Sequence, residues 1–196
     1  MRKSICVCLA FALGASGCTR HVNLNAPSAN AAPEERLVAY GELHPTSLRI
    51  RTTTYSKPGF SHTSSMTDSL KLADGRRVYD VTDLYPVLDP KSQAVQDIRE
   101  AEQEGAKARY TFWGGFAALI GGAVLMGVDL ASSSKRGVPF YAGAGLGIGG
   151  IIAFPVSGIF GRQAADARTN AFMNYDEGLR QRLDLCRDDE GVAPCH

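Results

Sequence analysis

The side chains that could do chemistry in this 196-residue chain are few and scattered. Cys186 and Cys195 flank the segment RDDEGVAP. In an oxidising compartment such a pair closes a disulfide, whereas with His196 it would offer a metal three ligands. His44 and His62 have no second histidine at HxH or HxxxH spacing. Asp80, Asp83 and Asp89 lack the D-x-D-x-D-G order of a calcium loop and read as surface or capping residues. Gly145 to Gly150 is glycine-dense like a phosphate loop. No Walker lysine follows, however, and the stretch sits inside an uninterrupted apolar run. No nucleophile motif or carboxylate pair stands out, so no catalytic residue, metal or cofactor is expected. A net charge of +1 leaves no electrostatic footprint for nucleic acid.

The first eighteen residues, MRKSICVCLAFALGASGC, set the compartment. Arg2 and Lys3 form a positive start, and Ile5 to Leu13 an apolar run too short to cross a bilayer, which needs ~20 residues. Small residues Ala15, Ser16 and Gly17 lead into Cys18. This end resembles the lipobox of bacterial lipoproteins, with Ala15 where the family usually has leucine. The resemblance implies cleavage after residue 17, diacylglycerol on Cys18, and export. Removing Arg2 and Lys3 with the signal leaves 19 basic against 20 acidic residues, a charge of −1. Cys6 and Cys8 depart with residues 1–17 and Cys18 is acylated, so Cys186 and Cys195 remain as an even pair. Export favours their disulfide. Thr19 follows the lipidated cysteine where aspartate is associated with inner-membrane retention, and either envelope membrane suits the chain.

The remaining segments differ sharply in composition. Residues 18–35, rich in Asn, Ala, Ser and Pro, read as a flexible tether with His21 exposed. Residues 36–90 read as a small β-rich domain. RLVAYGEL, SLRIRTTTYS and SLKLADGRRVYDV alternate or are enriched in strand formers, and Asp74-Gly75 is a hairpin turn signal. In the second of these Leu48, Ile50, Thr52 and Thr54 share a face, while Ser56 to Asp68 reads as a loop. Some fifty residues bury little by themselves, so the sheet should lean on the helices that follow.

Residues 91–185 read as a long antiparallel helical hairpin, and residues 186–196 as a terminal loop. The hairpin carries two charge-free segments, 111–128 and 138–161, joined by DLASSSKRG. Eighteen residues at 1.5 Å each span ~27 Å, close to a bilayer's hydrocarbon core. Tyr110 and Trp113 stand where aromatic belts form. Well over half of the 21 glycines lie between Gly114 and Gly161. Small residues recur every fourth position at Gly114, Ala118 and Gly122, at Gly143 and Gly147, and at Gly145, Gly149 and Ala153. Such spacing lines one helix face and lets two backbones approach. The segment is similar to the glycine-zipper hairpins of several envelope lipoproteins. Pro155 should kink the second helix. Beyond the hairpin's apolar part, Arg162 to Leu185 continues as a polar helix whose Phe172 and Tyr175 should pack on Val95 and Ile98 or on the sheet.

Together these readings predict a membrane-anchored α+β protein. Two crossings would put residues 36–109 and 162–196 on the periplasmic side with Cys18, and Lys135 and Arg136 across the bilayer. The expected function is a non-enzymatic scaffold or accessory subunit of a membrane assembly, in contact with lipid and with envelope proteins or copies of itself. A ligand-binding or sensing module is the alternative, and an unrecognised hydrolase built on His44 or His62 a third.

Overall fold

Pro33-Glu34-Glu35 puts a proline and two acids in a first helical turn, a favourable helix start. In the computed structural model, which describes residues 21–57, 60–132, 137–188 and 191–195, helix α1 runs Pro33–Leu43 from that start. The strand expected from RLVAYGEL is therefore a helix. Arg36, Tyr40 and Leu43 fall three or four apart on its inner face, and the apparent alternation around Leu37 is incidental.

Two thirteen-residue strands follow, β1 (Pro45–Lys57) and β2 (Phe60–Leu72), paired antiparallel from Pro45↔Leu72 to Lys57↔Phe60. The expected loop over Ser56–Asp68 is thus largely strand. Its Ser and Thr residues are compatible with a pleated, solvated surface, and β1 supplies the backbone partners. A register shift between Arg49 and Ile50 marks a bulge. The turn at Asp74-Gly75, where Gly75 has φ +88°, returns the chain into β3 (Arg77–Val78) beside β2. A 3-10 helix, Val81–Val87, comes next, with Asp80 accepting the Thr82 N–H at 3.0 Å.

Helix α2 (Gln93–Ser132) and helix α3 (Val138–Met173) form the long hairpin. Pro155 lies within α3 without ending it. The polar helix expected to reach Leu185 breaks at Asn174, whose side chain donates to Asp97 at 2.7 Å, and resumes as α4 (Tyr175–Leu183). Gly178 of α4 sits so close to Leu88 and Ser92 that an added Cβ would meet them at 2.7 and 3.0 Å. Strands β4 (Leu185–Asp188) and β5 (Gly191–Pro194) close the described chain, bridged by the Cys186–Cys195 disulfide. With both thiols in that bond, the alternative metal site on Cys186, Cys195 and His196 is removed.

One core joins these pieces. Leu70, Leu72 and Val78 from the sheet meet Val95 and Ile98 of α2, Phe172 of α3, and Tyr175, Leu179 and Leu183 of α4. This is the contact expected of Phe172 and Tyr175. Full burial of each such side chain stabilises the fold by about 1.5–3 kcal/mol. The Tyr175 hydroxyl donates to the Leu43 carbonyl at 3.1 Å, and Arg36 Nη1 donates to the Leu183 carbonyl at 2.9 Å, tying α1 to α4. The described part of the expected tether is also packed: Leu24 is 1% exposed and belongs to the core. Ala26 joins it there, Val22 packs against the same core, and Arg76 donates to the Asn23 carbonyl at 3.1 Å, so the segment is docked by several contacts.

Candidate membrane hairpin

The polar ends of α2 and α3 belong to the core, while their apolar lengths stand clear of it. In the most apolar 18-residue stretch of each helix only 17% and 11% of the residues are buried. Phe116, Ile120 and Val124 of α2 and Ile148, Ile151 and Ile152 of α3 are all exposed. By length and composition both helices can cross a membrane.

Two close approaches hold the helices together. A Cβ added at Gly122 would lie 2.5 Å from the Gly143 carbonyl oxygen and 2.9 Å from the Gly147 nitrogen. One added at Gly115 would lie 2.5 Å from Ala153 Cβ and 3.1 Å from the Gly150 carbonyl oxygen. Gly143 and Gly150 are equally restricted from the other side, against Gly122 O and Gly115 O at 2.6 Å each. Gly115 to Gly122 and Gly143 to Gly150 are seven-residue steps, the period of a seam between supercoiled helices. Gly122, Gly143, Gly147 and Ala153 thus lie in the seam, Gly147 through its backbone. Gly114, Gly145 and Gly149 do not: a Cβ on any of them meets nothing within 4 Å. Ala118 is half-buried. Sequence spacing missed Gly115 and Gly150, the second residues of the pairs Gly114-Gly115 and Gly149-Gly150.

The far end of the hairpin is closed by Asp129, 6% exposed, whose Oδ2 accepts the Gly137 N–H at 2.8 Å. A carboxylate beside the amino end of α3 is favoured by the helix dipole. At the opposite end Phe112 lies edge-on to Trp113 and Phe154, with ring centres 5.6 and 5.4 Å apart. Lys107 pairs with Glu104 at 2.5 Å and stands 5.9 Å from the Phe160 ring centre.

The small domain supplies three further polar contacts, two at Asp83 and one at Tyr85. His21 Nδ1 is 2.8 Å from Asp83 Oδ1, and the Val22 N–H donates to Asp83 Oδ2 at 2.9 Å. The hydrogen bond to Asp83, then its charge, raises the His21 pKa. The Tyr85 hydroxyl donates to Glu102 at 2.7 Å, and its pKa is pushed up to about 12, mainly by burial and then by that bond.

His44 Nδ1 lies 3.0 Å from the Gly41 carbonyl and 3.2 Å from that of Tyr40, an arrangement that serves the end of α1. The side chain of His62, Cys18 with the signal segment, and Lys135 and Arg136 of the connector lie outside the described residues. Among the described residues no three His, Cys, Asp or Glu side chains gather as a metal would need. Compared with family models, curated proteins and solved structures, the chain matches none.

Proposed function

We propose that this chain is a bacterial envelope lipoprotein, acylated at Cys18 and inserted in the bilayer by the α2–α3 hairpin. Its role in this reading is that of a non-enzymatic scaffold or accessory subunit of a membrane assembly. One observation carries the reading: the same two helices are core-buried at Ile98 and Phe172 and exposed at Phe116, Ile120, Ile148 and Ile151. Contiguous exposed apolar surface beyond a few hundred Å2 is rare on proteins surrounded only by water. Lipid removes that cost, whereas the small polar domain is already engaged at the other end of the helices. Helical segments also satisfy their own backbone groups, as the hydrocarbon requires.

Export is supported by the lipobox-like start and by the Cys186–Cys195 bond, which suits an oxidising compartment. Two crossings return the chain to the side it left, so the small domain and α4 share the periplasmic side with Cys18. Partners of the hairpin, whether envelope proteins or further copies, would meet its lipid-facing surface.

The test is metabolic fatty-acid labelling of the wild type and Cys18→Ala, with inner and outer membranes separated. Label is expected in the wild type and absent from the variant, whose uncleaved precursor stays membrane-bound. Equal labelling of both would overturn the lipoprotein reading.

A further inference from the structure

Where the hairpin leaves its apolar segments, a groove of about 420 Å3 opens between it and the small domain. Arg109 and Gly161 stand at its apolar end, and Glu102 and Arg168 toward the core. Seven residues separate Arg109 from Glu102, and seven separate Gly161 from Arg168. Along a helix that is ~10 Å. The polar layer of a bilayer leaflet is about 5–8 Å deep, so the groove spans the depth at which headgroups lie.

Its charges are balanced, with Arg109 and Arg168 on one hand and Asp80 and Glu102 on the other. Arg109 is exposed and has no ion-pair partner among the described residues. Arg168 donates through Nη2 to the Tyr79 carbonyl, and its guanidinium lies 5.9 Å from the Phe172 ring centre. Its buried Nε has no acceptor among the described residues. A phosphate in the groove would meet this guanidinium through its remaining Nη N–H groups. Asp80 engages the Thr82 N–H and Glu102 the Tyr85 hydroxyl through one oxygen each, and a cation can take the other.

We propose that this groove holds the headgroup of one zwitterionic phospholipid, with its phosphodiester on Arg109 and Arg168 and its ammonium on Asp80 and Glu102. Carboxylates bind a cation best when it donates hydrogen bonds, which selects the primary ammonium of phosphatidylethanolamine over the quaternary ammonium of phosphatidylcholine. A purely anionic headgroup would leave the two carboxylates facing further negative charge. The bound lipid would brace the small domain against the hairpin at the membrane surface. This inference rests on the membrane reading of α2 and α3.

The experiment incubates the full-length chain with vesicles of phosphatidylglycerol mixed with either phosphatidylethanolamine or phosphatidylcholine. Flotation is measured first, and lipid retained after detergent extraction is then measured by native mass spectrometry. One phosphatidylethanolamine per chain is expected to be retained. Arg109→Gln should retain about tenfold less, as for loss of a charge-assisted contact. Lys107 is paired with Glu104 and does not line the groove, so Lys107→Gln should retain as much as the wild type. Equal retention of phosphatidylcholine or phosphatidylglycerol overturns the headgroup assignment, and unchanged retention in Arg109→Gln overturns the site. Flotation without retained lipid overturns this proposal alone. Absence of flotation overturns the membrane reading and this proposal together.

Discussion

Gly122 and Gly143 meet backbone to backbone: a Cβ on the first would lie 2.5 Å from the carbonyl oxygen of the second. No side chain fits there without moving the two helices apart, because the obstructing atom is main chain. Gly122→Leu should therefore weaken the hairpin by about 1–3 kcal/mol or more, the usual cost of overpacking. Gly149→Leu, with nothing within 4 Å of its Cβ, should change it by less than about 0.5 kcal/mol. Unfolding in mixed micelles followed by circular dichroism measures both. A larger effect at Gly149 than at Gly122 would refute the seam.

The contact of His21 with Asp83 makes docking of the amino-terminal segment depend on pH. Protonated imidazole is the favoured partner of the carboxylate, so the folded pKa lies above the ordinary 6.5. The contribution to docking is full below 6.5 and is lost as pH rises through the raised folded value. A proton-NMR titration should place the His21 midpoint above 6.5 in the wild type and return it toward 6.5 in Asp83→Asn. Identical midpoints in the two proteins would show that the contact is not populated in solution.

Cys186 and Cys195 are nine positions apart and close a short loop across β4 and β5. For a loop of that length the loss of chain entropy in the unfolded state is worth about 2–3 kcal/mol. Replacing both cysteines by serine should lower stability by that amount, read as a lower denaturant midpoint, with a slope no smaller than the wild type's because the unfolded chain is less constrained. An unchanged midpoint would mean that the bridge constrains nothing beyond what the β4–β5 pairing already does.

The local alphabet of this chain was readable where one residue type had one use. Asp74-Gly75 announced its turn, since glycine accepts the positive φ that position adopts. The two charge-free segments announced two long helices, and the spacing of Phe172 and Tyr175 announced a face that packs on Val95 and Ile98. Reading failed where a short pattern served two structures. The alternation around Leu37 fits a strand, but Pro33 and the acids after it start a helix. The Ser and Thr residues of β2 look like loop until β1 is beside them, because the partner strand supplies the pairing that their composition does not advertise.

The candidate site divides in the same way. The sequence alone determined that two apolar, glycine-rich helices would pair, and it set Cys186 and Cys195 nine positions apart, where a short loop can bring them together. It offered two adjacent glycines on each side of one contact, Gly114-Gly115 and Gly149-Gly150, and four-residue spacing picked the first of each pair. One residue turns a helix face by about 100°. Only the antiparallel docking of α2 on α3 decided that Gly115 and Gly150 face inward. The groove between the hairpin and the small domain was likewise hidden, because Arg109 and Arg168 come from different helices and Asp80 from the small domain. Their separations along the chain carry no signal. They meet because the core around Phe172 and Tyr175 holds the small domain against the point where the helices change from polar to apolar.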